Sequence, residues 1–122
     1  MPQYVDGFVL VVPKKKIDDY KKLAAKAGKV WMEYGALSFN ECVADDMKTA
    51  MGISFPKLTK VKPSEVVVFS WIVYKSKKQR DSINKKVMAD PRFANMDPNN
   101  MPFDCDKMTY GGFTKMVSLD SK

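Results

Sequence analysis

At 122 residues, with 45% hydrophobic and 29% charged positions, the chain has the size and balance of one soluble domain that can bury a core without staples. No apolar run approaches the roughly 20 residues of a membrane span, and Phe8 to Val12 is too short for a signal peptide, so a cytoplasmic location is expected. The absence of histidine excludes Ser-His and Cys-His nucleophiles, His zinc ligation and proximal-His haem binding, and the net charge of +7 points to a polyanion only if the lysines cluster.

In chain order, Tyr4 to Val12 alternates around valines and stops at Pro13, which predicts a first strand. From Lys14 to Tyr34 the positions Ile17, Tyr20, Leu23, Ala24, Ala27, Val30, Trp31 and Tyr34 recur at helical steps, and Gly35 stands where a C-cap belongs. Lys15, Lys22, Lys26 and Lys29 fall on a different face of that helix. Ala36 to Ala44 reads as a second strand, with Leu37, Phe39, Glu41 and Val43 on one side. The stretch 45–64, with Gly52, Pro56 and Pro63, is expected to be an extended hairpin arm or a flap. Glu65 to Tyr74 is apolar on both faces and belongs mid-sheet with both sides covered.

Ser76 and Gln79 fit a capping box, which predicts a second helix to about Ala89, ended by Asp90-Pro91. Residues 92–106 read as a loop or short helical turn before a last strand, Lys107 to Leu119, that is weakened or bulged at Gly111-Gly112. The order is βαββαβ: a ferredoxin-like α+β domain spanning 1–122, with a four-stranded antiparallel sheet. Both helices then cover one sheet face. The two-sided third strand needs its other face buried as well, which predicts a homodimer packed sheet to sheet.

Six stretches carry a family resemblance: YVDGFVLVVP (Tyr4 to Pro13), AGKVWMEYGAL (Ala27 to Leu37), ECVADD (Glu41 to Asp46), VVFSWIVYKS (Val67 to Ser76), MADPR (Met88 to Arg92) and MPFDCDKMTYGGF (Met101 to Phe113). With these, the chain resembles the YbaA-like family of uncharacterised bacterial proteins over nearly its whole length. The resemblance implies a ferredoxin-like fold of the dimeric α+β-barrel type. It implies no activity.

Three residues stand out as candidate chemistry. Asp6 and Glu41 both fall on apolar strand faces, where a carboxylate has a raised pKa and can serve as general acid or base; the plainer alternative leaves each near a strand end, solvated or bonded to backbone. Topology separates the two by two strand spacings, about 10 Å. Arg80 shares a helical stripe with Ile83, Asn84 and Val87, so it either meets an acid or anionic ligand at the sheet or, as the plainer reading has it, snorkels to water.

Cys42 and Cys105 lack C-x-x-C spacing and read as free packing thiols, while Asp45-Asp46 and Asp104-Cys105-Asp106 lack a ligand pattern, so no metal or cofactor is expected. Trp71, Tyr74, Phe103, Asp104, Tyr110, Gly111 and Gly112 are candidates to line a pocket between the sheet and the Asn95 to Asp106 loop, holding a small anionic or aromatic molecule. If the protein is an enzyme, cofactor-free proton transfer or oxygenation suits it, with Asp6 or Glu41 as base and Arg80 as anion anchor. The alternative is a non-enzymatic nucleic-acid or polyanion-binding protein using its basic helices. VVFSWIVYKS lacks the RNP1 pattern of RNA-binding sheets, which makes nucleic acid the weaker of the two.

Overall fold

In the computed structural model, which describes residues 2–94 and 96–121, four strands form one antiparallel sheet in the order β2-β3-β1-β4. The strands are β1 (Tyr4–Pro13), β2 (Ser38–Val43), β3 (Glu65–Tyr74) and β4 (Thr109–Thr114). The helices are α1 (Ile17–Glu33), α2 (Phe55–Thr59), α3 (Lys77–Ala89) and α4 (Pro91–Ala94). This is the ferredoxin-like α+β fold.

The two long helices begin and end where side chains say they should. Ser76 caps α3 by accepting from the Gln79 amide at 3.1 Å, and the Gln79 side chain accepts from the Lys75 amide at 2.6 Å, one residue earlier than a strict capping box. After α1, Gly35 takes φ 111°, a left-handed conformation that a side chain would strain. In mid-helix Gly28 lets α1 approach the sheet, since a Cβ there would lie 2.7 Å from Cδ1 of Phe39.

Strand register assigns the faces. Asp6 pairs with Ile72, Phe8 with Ser70 and Leu10 with Val68 on the side facing α1 and α3, while Gly7 pairs with Trp71 and Val9 with Phe69 on the other. The helix-facing core falls into two clusters. One joins Val30, Ile72, Tyr74, Ile83 and Val87 under both helices. The other joins Leu10, Val12, Tyr20, Ala24 and Val68, with Phe103 and Met108 of the 96–108 loop packed against it.

Three expectations change. The stretch 45–64 contains no strand among its residues; it makes bends and the short helix α2, capped by Ser54, with the Phe55 ring 6.4 Å from Phe69. Five residues are too few to show helical periodicity, so the pattern hid this element. The last strand spans Thr109–Thr114, less than predicted, and it carries no bulge: its register against β1 runs unbroken through Gly111 and Gly112. Gly112 instead makes room for the Tyr4 ring, whose Cε2 would lie 2.6 Å from a Cβ there.

The sheet face away from α1 and α3 is partly open. Phe69 (45% exposed) and Phe113 (61% exposed) lie on it beside half-buried Trp71. Beyond the contact of Phe55 with Phe69, that aromatic surface has no cover among the described residues of one copy of the chain.

Candidate functional site

The strongest polar cluster gathers around Asp6. Its side chain is almost fully buried, and the Arg80 guanidinium donates to Oδ1 at 2.7 Å. Tyr74 donates to Oδ2 at 3.0 Å and Asn84 at 3.3 Å; the indole of Trp31 in turn donates to Asn84 at 3.0 Å. Burial, with the nearby Asp6 charge, pushes the Tyr74 hydroxyl well above its ordinary pKa, so it acts as a donor. Arg80 also lies 4.8 Å over the Tyr4 ring and pairs with Asp81. The helical stripe of Arg80 therefore points to the sheet, and its partner is an acid of the protein itself rather than water. Both oxygens of this carboxylate are engaged by the protein's own donors.

Glu41 has different surroundings. It stands on the edge strand β2, opposite Ser70, on the same sheet face as Asp6 and with β3 and its register between them. As expected, the two acids are not a pair. Tyr20, from α1, donates to Oε1 of Glu41 at 2.7 Å. Among the described residues Glu41 has no other hydrogen-bond partner. The residue as a whole is exposed along the edge, yet its carboxyl lies against an apolar wall, and the resulting desolvation raises its pKa while the Tyr20 hydrogen bond, the smaller effect, lowers it. Tyr20 is raised by its burial first and by the Glu41 charge second.

Glu41 and Tyr20 line a groove of about 1080 Å³ between α1 and β2. Its walls are mainly apolar, with Ile17, Ala24, Met32, Leu37, Phe39 and Val43 contributing, and Lys21 and Lys29 stand among its charged lining residues. It arises because α1 leans on the sheet at Gly28 and Phe39, while β2, as an edge strand, has no neighbour beyond it. Such a gap depends on how two distant elements sit together, so spacing does not reveal it. Tyr20 was legible only in part: a tyrosine on a buried helical stripe needs a partner for its hydroxyl.

The seven residues expected to line one pocket do not converge. By register Trp71 and Gly111 face the open side of the sheet, whereas Tyr74, Tyr110 and Gly112 face the helices. Phe103 meets the Tyr20 ring edge-on at 6.0 Å and fills space against the core, and the Asp104 amide bonds the Val11 carbonyl. The space between sheet and loop is thus occupied by Phe103 and Met108. A smaller hollow of about 360 Å³ lies between 96–102 and α1 instead; Asn95 lies outside the described residues. Cys42 and Cys105 are free but exposed, not packed as expected. Among the described residues no group of three or more His, Cys, Asp or Glu side chains could hold a metal ion.

A further cluster escaped the sequence reading. Buried Asp90 accepts from Tyr34 at 2.7 Å and from the Arg92 backbone and guanidinium, while Arg92 reaches Glu33 at 2.6 Å. The Arg92 hydrogen bonds, with that of Tyr34, hold the Asp90 carboxyl well below the usual carboxylate range. This ties the end of α1 to the start of α4, and the motif MADPR is its trace in the sequence.

Comparisons with known proteins agree with the fold. A family model described as "Protein of unknown function (DUF1428)" matches residues 3–105. The uncharacterized protein YbaA of Escherichia coli K12 is 45% identical over 115 residues, covering 94% of this chain and 97% of that one. Among solved structures, a dimeric ferredoxin-like protein from an uncultured marine organism superposes with a TM-score of 0.65 at 11% identity, covering 98% of this chain and all (100%) of that one. A putative antibiotic biosynthesis monooxygenase from Nitrosomonas europaea gives 0.59 at 11% identity, with 93% and 90% covered. At these identities the structural likeness speaks for the fold alone. No described helix is long and apolar enough to cross a membrane.

Proposed function

The chain belongs to the DUF1428 family of proteins of unknown function, and from that premise we propose that it is a cytoplasmic homodimer that binds a small, largely apolar molecule in the groove between α1 and β2. The groove itself carries this reading: a cavity of about 1080 Å³ is of the size that holds a small organic ligand, and its apolar walls surround one hydrogen-bonding pair. The dimer is supported by the open aromatic face of Phe69, Trp71 and Phe113, which a second sheet would bury. A structural relative described as dimeric has the same fold. The exposed free thiols suit a reducing compartment.

The site favoured by this geometry differs from the sheet-and-loop pocket that the sequence suggests. Ala25 lies on the exposed side of α1 and lines the groove, so Ala25→Trp fills the cavity without entering the core. A naphthalene-based fluorescent probe should bind the unaltered protein saturably, one per chain, and lose that binding in Ala25→Trp at unchanged thermal midpoint. Binding that is absent from the unaltered protein, or indifferent to the filled groove, overturns the reading. Light scattering should give twice the chain mass of 13.9 kDa.

A further inference from the structure

We infer that the groove between α1 and β2 selects apolar hydroxyl compounds, their O–H donating to the free oxygen of Glu41 while Tyr20 holds the other. This rests on the groove being a ligand site and names the chemistry it would recognise there.

The geometry leads to the donor step by step. A carboxylate has two oxygens able to accept. Tyr20 takes Oε1 at 2.7 Å, and Oε2, which has no hydrogen-bond partner among the described residues, is left as an acceptor for what enters the groove that Glu41 lines. The remaining wall is chiefly carbon, so a ligand gains by burying an apolar body and must satisfy that oxygen with one donor. The contrast with Asp6 is direct: there Arg80, Tyr74 and Asn84 engage both oxygens of a buried carboxylate.

Two donor classes compete, hydroxyls and ammonium groups. Desolvation decides between them. Asp18, Lys21, Lys29 and Glu33 all line the groove from α1, and with Glu41 the lining counts three acids to two lysines, so charge alone does not turn a cation away. An ammonium must shed its hydration to enter a groove whose walls are chiefly apolar, a larger cost than burying a neutral hydroxyl, and one edge-strand carboxylate already bonded by Tyr20 does not offset it. Desolvation also raises the proton affinity of Glu41, which strengthens its hold on a shared proton.

The test uses α-naphthol, its methyl ether and naphthylmethylamine, titrated by calorimetry into the dimer and its Glu41→Gln and Tyr20→Phe variants. The unaltered protein should prefer naphthol over the ether by about tenfold, the scale of one hydrogen bond to a charged group. Glu41→Gln should erase that preference and leave ether binding unchanged; Tyr20→Phe should reduce the preference about threefold, again without touching the ether. Because the ether reports on the groove alone, a variant that fails to fold is recognised by its loss. Equal binding of naphthol and ether to the unaltered protein overturns the inference while the groove stands, as does tighter binding of the amine. Failure of all three probes to bind removes the groove reading, and this inference with it.

Discussion

Asp6 and Glu41 carry the same functional group on the same sheet face, two strands apart, yet the fold treats them in opposite ways. Asp6 sits on the inner strand β1 beneath α3, where a guanidinium, a phenol and an amide converge on it. Glu41 sits on the edge strand β2 beside a cavity, with one phenol for a partner. The difference lies in strand position. An inner strand brings neighbours from several elements and allows a buried charge to be satisfied; an edge strand leaves one side for something from outside. A satisfied buried carboxylate contributes to holding the fold together, whereas a desolvated carboxylate with a spare oxygen suits the proposed ligand site.

Substitutions that break this contrast differ in size. Asp6→Asn should cost the most, about 3 kcal/mol in urea unfolding, because it strands Arg80 and turns one of three converging donors against an amide. Phe69→Lys, on the opposite sheet face, should weaken the proposed dimer by about 2 kcal/mol, read as concentration-dependent dissociation, while both acids keep their surroundings. Next comes Gly112→Ala: its methyl group pushes on the Tyr4 ring that lies under Arg80, at about 1 kcal/mol by thermal unfolding.

Glu41→Gln should have the smallest effect on stability, with a sign that depends on pH. Folding raises the Glu41 pKa, so its contribution favours the folded state below the unfolded value, near 4.3, and is lost as pH rises through the folded value. The amide has no such dependence. The variant should therefore match or exceed the unaltered protein at neutral pH and fall behind only in acid, which denaturation at a series of pH values would reveal. The same sign rule gives Asp90, held low by Arg92 and Tyr34, the opposite trend: it stabilises above the unfolded carboxylate value and loses that contribution as acid protonates it.

Much of the fold was legible because its signals are local. Alternating valines in β1, the helical stripe of α1, the two-faced apolar run of β3 and the Ser76-Gln79 cap each sit within one segment. The helical stripe also aimed Arg80 at the sheet, though which acid it meets depends on the strand order. The segment 45–64 was harder, since α2 is one short turn fixed by the Ser54 cap and by Phe55 resting on Phe69. Grouping Trp71 with Tyr110 failed because alternate strand positions face opposite ways, and only register tells which. Gly111-Gly112 misled for a related reason: a glycine pair marks either a bulge or a place where a ring must pass, and here Tyr4 supplies the ring. The groove is a property of the assembled fold, set by α1 against an unpartnered edge.

The central claim, that Asp6 serves the fold and Glu41 a ligand, meets its most direct test in urea unfolding of Asp6→Asn and Glu41→Gln side by side at neutral pH. The two changes are chemically identical. Loss of about 3 kcal/mol in the first and none in the second is the predicted result; equal losses, or a greater loss at Glu41, would contradict the account.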